Sequence, residues 1–263
     1  MLAIDLNSDM GEASTIQEFR RDLCLMKYVT SSNISCGAHA GSDELILKTL
    51  SSCKKAGTGV GAHPSFRDRR GFGRRELEVG RKDLEKELDR QVRHLKVLAG
   101  KAGVSLYHLK PHGALYNMAW RRKDYAKAIA ETASRHSLHI LAPAGSAMIM
   151  ESIKLEVPFF REGFVDRNYS ADGLLVPRSR PDSIIKDPAL AAERALRMVE
   201  GKPIRTVEGK NLELSVQSLC VHSDTPNSCG IARVVRSRLE SAGVKVVSLR
   251  HLDSMSSAGN HTC

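Results

Sequence analysis

Short apolar runs alternate with amphipathic stretches along the whole chain, and this rhythm predicts a regular succession of strands and helices. Residues 2–6 read as a first strand, 16–29 as a helix and 30–36 as a second strand. A helix over 43–55 follows, with Ser42 as its N-cap. Residues 58–62 form a third strand ending at His63. The long helix over 82–102 carries Leu84, Leu88, Val92, Leu95 and Leu98 at steps of three and four, which gives one buried face, and Gly103 stops it. A fourth strand at 105–110 runs into Pro111-His112-Gly113, followed by a helix at 123–135 and strands at 139–142 and 157–161. Asp187 caps a helix at 188–199 with Pro188 in its first position. Residues 215–221 make a seventh strand ending at His222, Thr225 and Pro226 open a helix over 226–242, and 244–249 are an extra strand. The polar end, 254–263, reads as a flexible tail.

Strands alternating with helices imply a mostly parallel sheet with helices outside it. The predicted fold class is α/β, a distorted (β/α) barrel of about seven parallel strands. A chain of 263 residues is normal for one such barrel, and with no linker or break in composition, residues 1–253 are assigned to one domain. Hydrophobic residues at 41% and charged residues at 27% suit a buried core. No apolar stretch approaches the ~20 residues that span a bilayer. The first residues, acidic by Asp5, lack the basic region of a secretory signal, so a cytoplasmic protein is expected. Cys24, Cys36, Cys53, Cys220, Cys229 and Cys263 are irregularly spaced without a C-x-x-C pair, which reads as six reduced thiols and no zinc–cysteine site. The net charge of +10 admits an anionic partner. Its basic residues are spread out, aromatics are only 5%, and no nucleic-acid module is present, so a solvated basic surface is favoured over nucleic-acid binding.

The informative polar groups fall at strand ends. Asp5, Asn7 and Asp9 end the first strand; His39, His63 and Lys110 with His112 follow the next three; Glu162 and Asp166 follow the sixth, His222 and Asp224 the seventh. In a parallel barrel these ends share one rim, where active sites lie. One strand-end histidine is more often structural. Four, each with small or sharply turning neighbours, suit acid–base work near neutral pH. Alternation puts Asp5, Asn7 and Asp9 on one face, either as a pocket floor or metal site, or as a merely polar strand end. Glu12 reads rather as the start of helix one than as a rim residue. Arg74 and Arg75, after Gly71-Phe72-Gly73, could grip a carboxylate or phosphate or simply solvate the surface, and Arg178 is a similar candidate. Lys110, if buried, needs an anionic partner such as Asp5, Asp9 or a substrate. There is no G-x-x-x-x-G-K-[ST] phosphate loop, Rossmann glycine motif, G-x-S-x-G elbow or H-E-x-x-H helix. A nucleotide must therefore use an unfamiliar site or another subunit.

At these residues the chain resembles the LamB/YcsF family. The resemblance rests on Asp5 through Glu12, Asn33 through Gly41, Gly61 through Phe66, Gly71 through Arg75, Leu109 through Asn117, Glu162 through Tyr169, and Leu175 through Arg178. It departs from the usual pattern at Ser35, Ala38, Ser42 and at Ser223, where Gly is common between His222 and Asp224. The resemblance implies a barrel akin to polysaccharide-deacetylase and glycosidase barrels. It implies cleavage of 5-oxo-L-proline to L-glutamate coupled to hydrolysis of ATP, with Mg2+ as the nucleotide's companion ion, and 5-oxoprolinase subunits B and C as partners. The chemistry assigned to these residues puts Asp5 or Asp9 with His63 and His112 at the catalytic centre. Asn7, His39, Lys110, Arg74, Glu162, Asp166, Arg178 and His222 are expected to bind substrate. A bound metal is left open. One alternative is a metal-dependent, deacetylase-like amide hydrolase using Asp9, His39 and His63 around a divalent ion. Another is a non-catalytic subunit that binds a small acid.

Overall fold

In the computed structural model, which describes residues 2–259, β1 (Ala3–Met10) is followed by α1 (Ile16–Leu25), β2 (Ser31–Ser35), α2 (Asp43–Ala56), β3 (Gly59–His63) and α3 (Arg81–Ala102). Then come β4 (Leu106–Leu109), α4 (Gly113–Arg121), α5 (Lys123–Arg135), β5 (His139–Pro143), α6 (Ala147–Lys154) and β6 (Phe159–Phe164). The chain continues through α7 (Pro188–Val199), β7 (Ile204–Arg205), β8 (Asn211–Leu212), β9 (Ser218–Cys220), α8 (Ser228–Ser241), β10 (Lys245–Val246) and α9 (Leu249–Gly259). Strands β1 to β6 pair in sequence order, all parallel, and β9 pairs with both β6 and β1. The result is a closed seven-stranded parallel barrel wrapped by helices, as the alternation predicts. Strand β10 pairs with Ala3 and Ile4 outside the ring, and β7 and β8 form a separate antiparallel hairpin.

The long helix forms as its pattern requires: Leu84, Leu88, Val92, Leu95 and Leu98 are all buried, and Gly103 ends α3 in the left-handed conformation. Ser42 caps α2 through the Leu45 N–H, and Asp187 caps α7 through the N–H groups of Ala189 and Leu190. Helix α4 has no side-chain cap, so nothing in its sequence announces a start. It begins against the loop after β3, where the Ala114 N–H donates to Gly73 O at 2.9 Å. Gly113 makes this possible: its φ is +57°, and a Cβ there would sit 2.5 Å from Gly73 O. Helix α6 leaves Met150 and Ile153 exposed, which blurs its helical pattern, and the β7–β8 strands are too short to show one.

Three expectations are corrected. Strand β1 runs to Met10 rather than Leu6, because Asn7, Ser8 and Asp9 continue the ladder to β2 while their polar side chains are taken up inside the protein. Cys24 and Cys229 form a disulfide rather than free thiols; β9 returns to β1, which brings α8 beside α1 despite a sequence separation of 205. Cys36, Cys53 and Cys220 are free and buried, and Cys263 lies outside the described residues. The expected tail is helical through 254–259, since α9 packs Leu249 against Leu141 and Phe160; residues 260–263 lie outside the described residues.

The barrel interior is polar on its β1 side. Asp5 accepts from Ser31 Oγ at 2.6 Å, from Thr30 Oγ1 at 2.8 Å and from Ser218 Oγ. Burial pushes its carboxyl up to about 6 despite these three hydroxyls, and Glu162 adds to the rise. Across the barrel wall, Gly61 on β3 faces His108 on β4, whose ring occupies the space a side chain would need: a Cβ would lie 2.2 Å from His108 Nε2.

Gly61→Ala should therefore destabilise the fold by about 1–3 kcal/mol in denaturant titrations, because a buried ring must move; an unchanged midpoint would show that the ring yields freely. Asp5 holds its proton more tightly when folded. Its contribution is complete below the ordinary value of 3.8 and is lost as pH rises through about 6. Between pH 4 and 7 wild type should lose up to ~3 kcal/mol relative to Asp5→Asn, and parallel stability–pH curves would refute the assignment.

Candidate active site

All the strand C-termini open on one rim, and the chain there binds loop to loop. The Lys110 N–H donates to Ala62 O and the His112 N–H to Pro64 O, so the turn after β4 is laid onto the end of β3. This places Lys110, His112 and His63 side by side.

Lys110 is buried, and its ammonium lies 2.8 Å from Glu162 Oε1, 3.2 Å from Asp9 Oδ1 and 3.3 Å from Asn7 Oδ1. Burial alone would favour loss of its proton, but Asp9, Cys220 and Glu162 together raise it well above the ordinary lysine value. Asn7 Nδ2 donates to Glu162 Oε1 at 2.9 Å, and Tyr116 OH donates to Glu162 Oε2 at 2.8 Å. Asn33 Nδ2 donates to Asn7 Oδ1 and Asp9 Oδ1, both at 2.8 Å, and Asn33 Oδ1 accepts from His108 Nε2 at 2.7 Å. Every acid around the ammonium is thus held from behind by an amide or a hydroxyl.

Beside this floor stand the other histidines. His63 Nε2 lies 3.4 Å from Asp9 Oδ2 and 3.0 Å from His112 Nδ1. Glu12 Oε1 lies 3.2 Å from His112 Nδ1 and accepts from His39 Nε2 at 2.8 Å. Burial works against an ionised Asp9, yet His63 and Lys110 hold it well below the carboxylate range; His112 and His39 do the same for Glu12. Burial would depress His63, but Asp9 and Glu12 outweigh it and raise the imidazole. His39 goes the other way: burial, then His112, lower it to about 3, so it is neutral. Its ring stacks on His112 at 3.8 Å between centroids, with Phe72 edge-on to both.

On the opposite wall Asp166 accepts from His222 Nδ1 at 3.0 Å, from its main-chain N–H at 2.9 Å and from Thr225 Oγ1 at 2.6 Å. Burial opposes charge on Asp166, but His222 and these donors lower it below the ordinary carboxylate value. Fixed at Nδ1 and stacked on Phe164, His222 has Nε2 left for other chemistry. Arg74 and Arg178 both reach Asp224, at 2.5 and 3.2 Å.

These groups line a cavity of about 610 Å³, with Asp9, Glu12, His63, Lys110, His112 and His222 in its wall and Arg74, Arg121, Arg122, Arg167 and Arg178 around them. A second hollow of about 580 Å³ adjoins it across Glu12, Ser223 and Asp224 and is lined by His39 and Phe72. Of the residues expected at the centre, Asp9, His63 and His112 meet in the main cavity. Asp5 lies beneath it, bonded to serines and a threonine, and does not line it. Among the expected binders, Lys110, Arg74, Arg178 and His222 line the cavity. Asn7, Glu162 and Asp166 stand behind them, each holding a lining residue, and His39 opens on the second hollow. Arg75 turns away to Asp68.

Glu12 is the main residue that sequence reasoning misplaces. Thr15 caps α1 in a reciprocal box with Glu18, so Glu12 stands before the helix and enters the site. The available signal is its position three residues beyond Asp9. Tyr116, one turn into the unannounced α4, goes unread along with its helix. Among the described residues, the donors that could close on one ion are Asp9, His63 and His112, or Glu12, His39 and His112, or Asp9, Cys220 and His222. The expected set of Asp9, His39 and His63 does not close, because His39 is turned onto Glu12.

A family model described as LamB/YcsF matches residues 4–254. A relative in Pyrococcus furiosus, named as the A subunit of 5-oxoprolinase, is 39% identical over 248 residues, covering 94% of this chain and 97% of that protein. One of the same name in Coprothermobacter proteolyticus is 41% identical over 254 residues, with 95% and 97% covered. The solved structure of a lactam utilization protein from Thermus thermophilus superposes with a TM-score of 0.87 at 37% identity, covering 94% of this chain and 100% of that one. A family 4 carbohydrate esterase from Streptomyces lividans shares the fold, with a TM-score of 0.52 at 10% identity over 93% of this chain and 91% of that one. Matched almost end to end by the family model and by these relatives, the chain belongs to the LamB/YcsF family.

Proposed function

We propose that this chain is the A subunit of a 5-oxoprolinase and opens the lactam ring of 5-oxo-L-proline to give L-glutamate, coupled to hydrolysis of ATP, in assembly with subunits B and C. The names of the relatives it matches end to end support the role. The single observation that carries the chemistry is the cavity itself, a charged lysine and three histidines facing one space with arginines around them. A small anionic lactam fits that distribution: guanidinium groups take its carboxylate, and the amide faces the imidazoles.

A lactam resists water because resonance protects its carbonyl carbon and its nitrogen leaves poorly. Transfer of a phosphoryl group from ATP to the amide oxygen forms an O–P bond, releases ADP and makes that carbon electrophilic. Water then adds to the carbon and gives up a proton; the ring nitrogen gains a proton and the C–N bond breaks. A second water releases phosphate from the resulting acyl phosphate and leaves glutamate. Imidazole is suited to both proton transfers. His222 has Nδ1 tied to Asp166 and Nε2 free, and His63 and His112 stand across from it in the same cavity. Lys110 carries a positive charge where negative charge develops on oxygen. ATP enters this scheme without a phosphate loop in the chain, so the arginine rim or a partner protein holds it. Among the described residues no helix is long and apolar enough to cross a membrane.

The test is glutamate release from 5-oxoproline with ATP, with and without the partner subunits. Wild type with its partners should turn over, and failure of the complete assembly would end the proposal. In that assembly His112→Asn should lower kcat by about 100-fold or more. Lys110→Met should cost at least ~100-fold, with far-UV circular dichroism to confirm that each variant is folded. Full turnover by either would remove that residue from the chemistry.

A further inference from the structure

Two imidazoles in this site have their protons fixed by partners that can only accept. His63 Nδ1 lies 2.7 Å from the main-chain oxygen of Lys110, and His112 Nε2 lies 2.9 Å from that of Phe72. A carbonyl oxygen has no proton to offer, so these two nitrogens are the N–H donors. In each neutral ring the other nitrogen is then a bare lone pair. Those two nitrogens, His63 Nε2 and His112 Nδ1, face each other at 3.0 Å. Neither has a proton to give the other.

Two carboxylate oxygens flank this pair. Asp9 Oδ2 is 3.4 Å from His63 Nε2, and Glu12 Oε1 is 3.2 Å from His112 Nδ1 and 3.8 Å from His63 Nε2. The nearest ammonium does not fill the gap: Lys110 binds the other oxygen of Asp9, which also accepts from Asn33. Four electron-pair donors therefore stand next to one another without a donor proton among them, and Asp9, His63 and His112, all buried, close on one point. Such an arrangement is repulsive unless a positive centre stands inside it. The local charge agrees. Asp9, Glu12 and Glu162 bring three negative charges against one positive charge on Lys110, which leaves −2 with the histidines neutral.

We propose that Asp9, His63 and His112 bind one divalent transition-metal ion of the zinc class, with the Glu12 carboxylate beside His112. The spacings of 3.0 and 3.4 Å fit this, since a tetrahedral ion with bonds of ~2.0–2.1 Å sets its ligands about 3.4 Å apart. Two imidazoles with a carboxylate and an open position suit zinc and its neighbours, whereas magnesium takes near-octahedral oxygen. The surroundings are those of a ligating shell: both imidazoles are oriented by carbonyls, and Asp9 by Asn33 and Lys110. A bound ion would supply Lewis-acid polarisation of a carbonyl oxygen or a more acidic water. The competing occupant is a single proton, which would turn one imidazole into a cation paired with Asp9.

The inference does not depend on the proposed lactam chemistry, and its test reads metal directly. The full chain, stripped with chelator and titrated with zinc chloride by calorimetry, should take up one zinc per chain, and millimolar magnesium should not displace it. His63→Ala and His112→Ala should each weaken zinc binding by at least ~100-fold, while His94→Ala, at an exposed histidine paired with Asp43, should leave it unchanged. Cobalt(II) gives a second readout, a visible band of low-symmetry, four-coordinate metal in wild type that is lost in Asp9→Asn. No zinc uptake by wild type would assign the gap to a proton and overturn the proposal, as would uptake unaffected by both histidine changes. Zinc bound without oxoproline turnover in the full assembly would count against the proposed function alone.

Discussion

A positive charge inside a protein must be surrounded before it can be kept, and the ammonium of Lys110 imposes that requirement on half the barrel. Its nitrogen reaches Glu162 on β6, Asp9 and Asn7 on β1 and Cys220 on β9, so four strands, counting its own turn after β4, are tied to one atom. Replacing Lys110 by an apolar residue would leave the buried Asp9 and Glu162 without this cation, which is far costlier than never having buried the group. The amides of Asn7 and Asn33 and the hydroxyl of Tyr116 follow from the same need, since each acid has further lone pairs to satisfy. The interior of this barrel is consequently a hydrogen-bonded frame that shapes the cavity above it, while the apolar core lies chiefly between the strands and the helices.

Much of this is legible in the sequence because the carrying signals are local. The leucine spacing of α3, the Ser42 and Asp187 caps and the strand–helix alternation are each set by residues within a few positions of one another. Histidines at strand ends can be assigned to a common rim because parallel closure forces them there. What the sequence hides depends on contacts across the fold. Strand β1 reads as ending at Leu6, since polar Asn7 and Asp9 look like a loop until a polar barrel interior is there to receive them. Asp5 reads as central because it shares a face with Asp9, yet height along the strand sets it among Ser31, Thr30 and Ser218. The start of α4 is dictated by Gly73 from a distant loop. Glu12 looks like a helix start only because Thr15 and Glu18, the true cap, follow so closely behind it.

The loop between β3 and α3 shows how the site is finished by a segment that is neither strand nor helix. Phe72 offers its carbonyl to His112 and its ring edge to His39 and His112, Arg74 reaches Asp224, and Asp68 anchors the loop through Arg75. One stretch thereby fixes an imidazole tautomer, covers a histidine stack and sets a charge at the mouth. Binding and catalytic groups are often carried on loops in this way, held in place by the rigid strands beneath them.

A ring of strands has one seam, where the last member meets the first. Here the seam runs between β9 and β1, and the helices flanking it are α8 and α1, joined through Cys229 and Cys24. The covalent path from Cys24 along the chain to Cys229 and back through sulfur is a hoop that contains every stave of the barrel except β1, together with the helices from α2 to α7. A single backbone nick in any surface loop inside that hoop leaves the two fragments tethered, so the barrel is guarded against the loss of a piece as long as the sulfur link is intact.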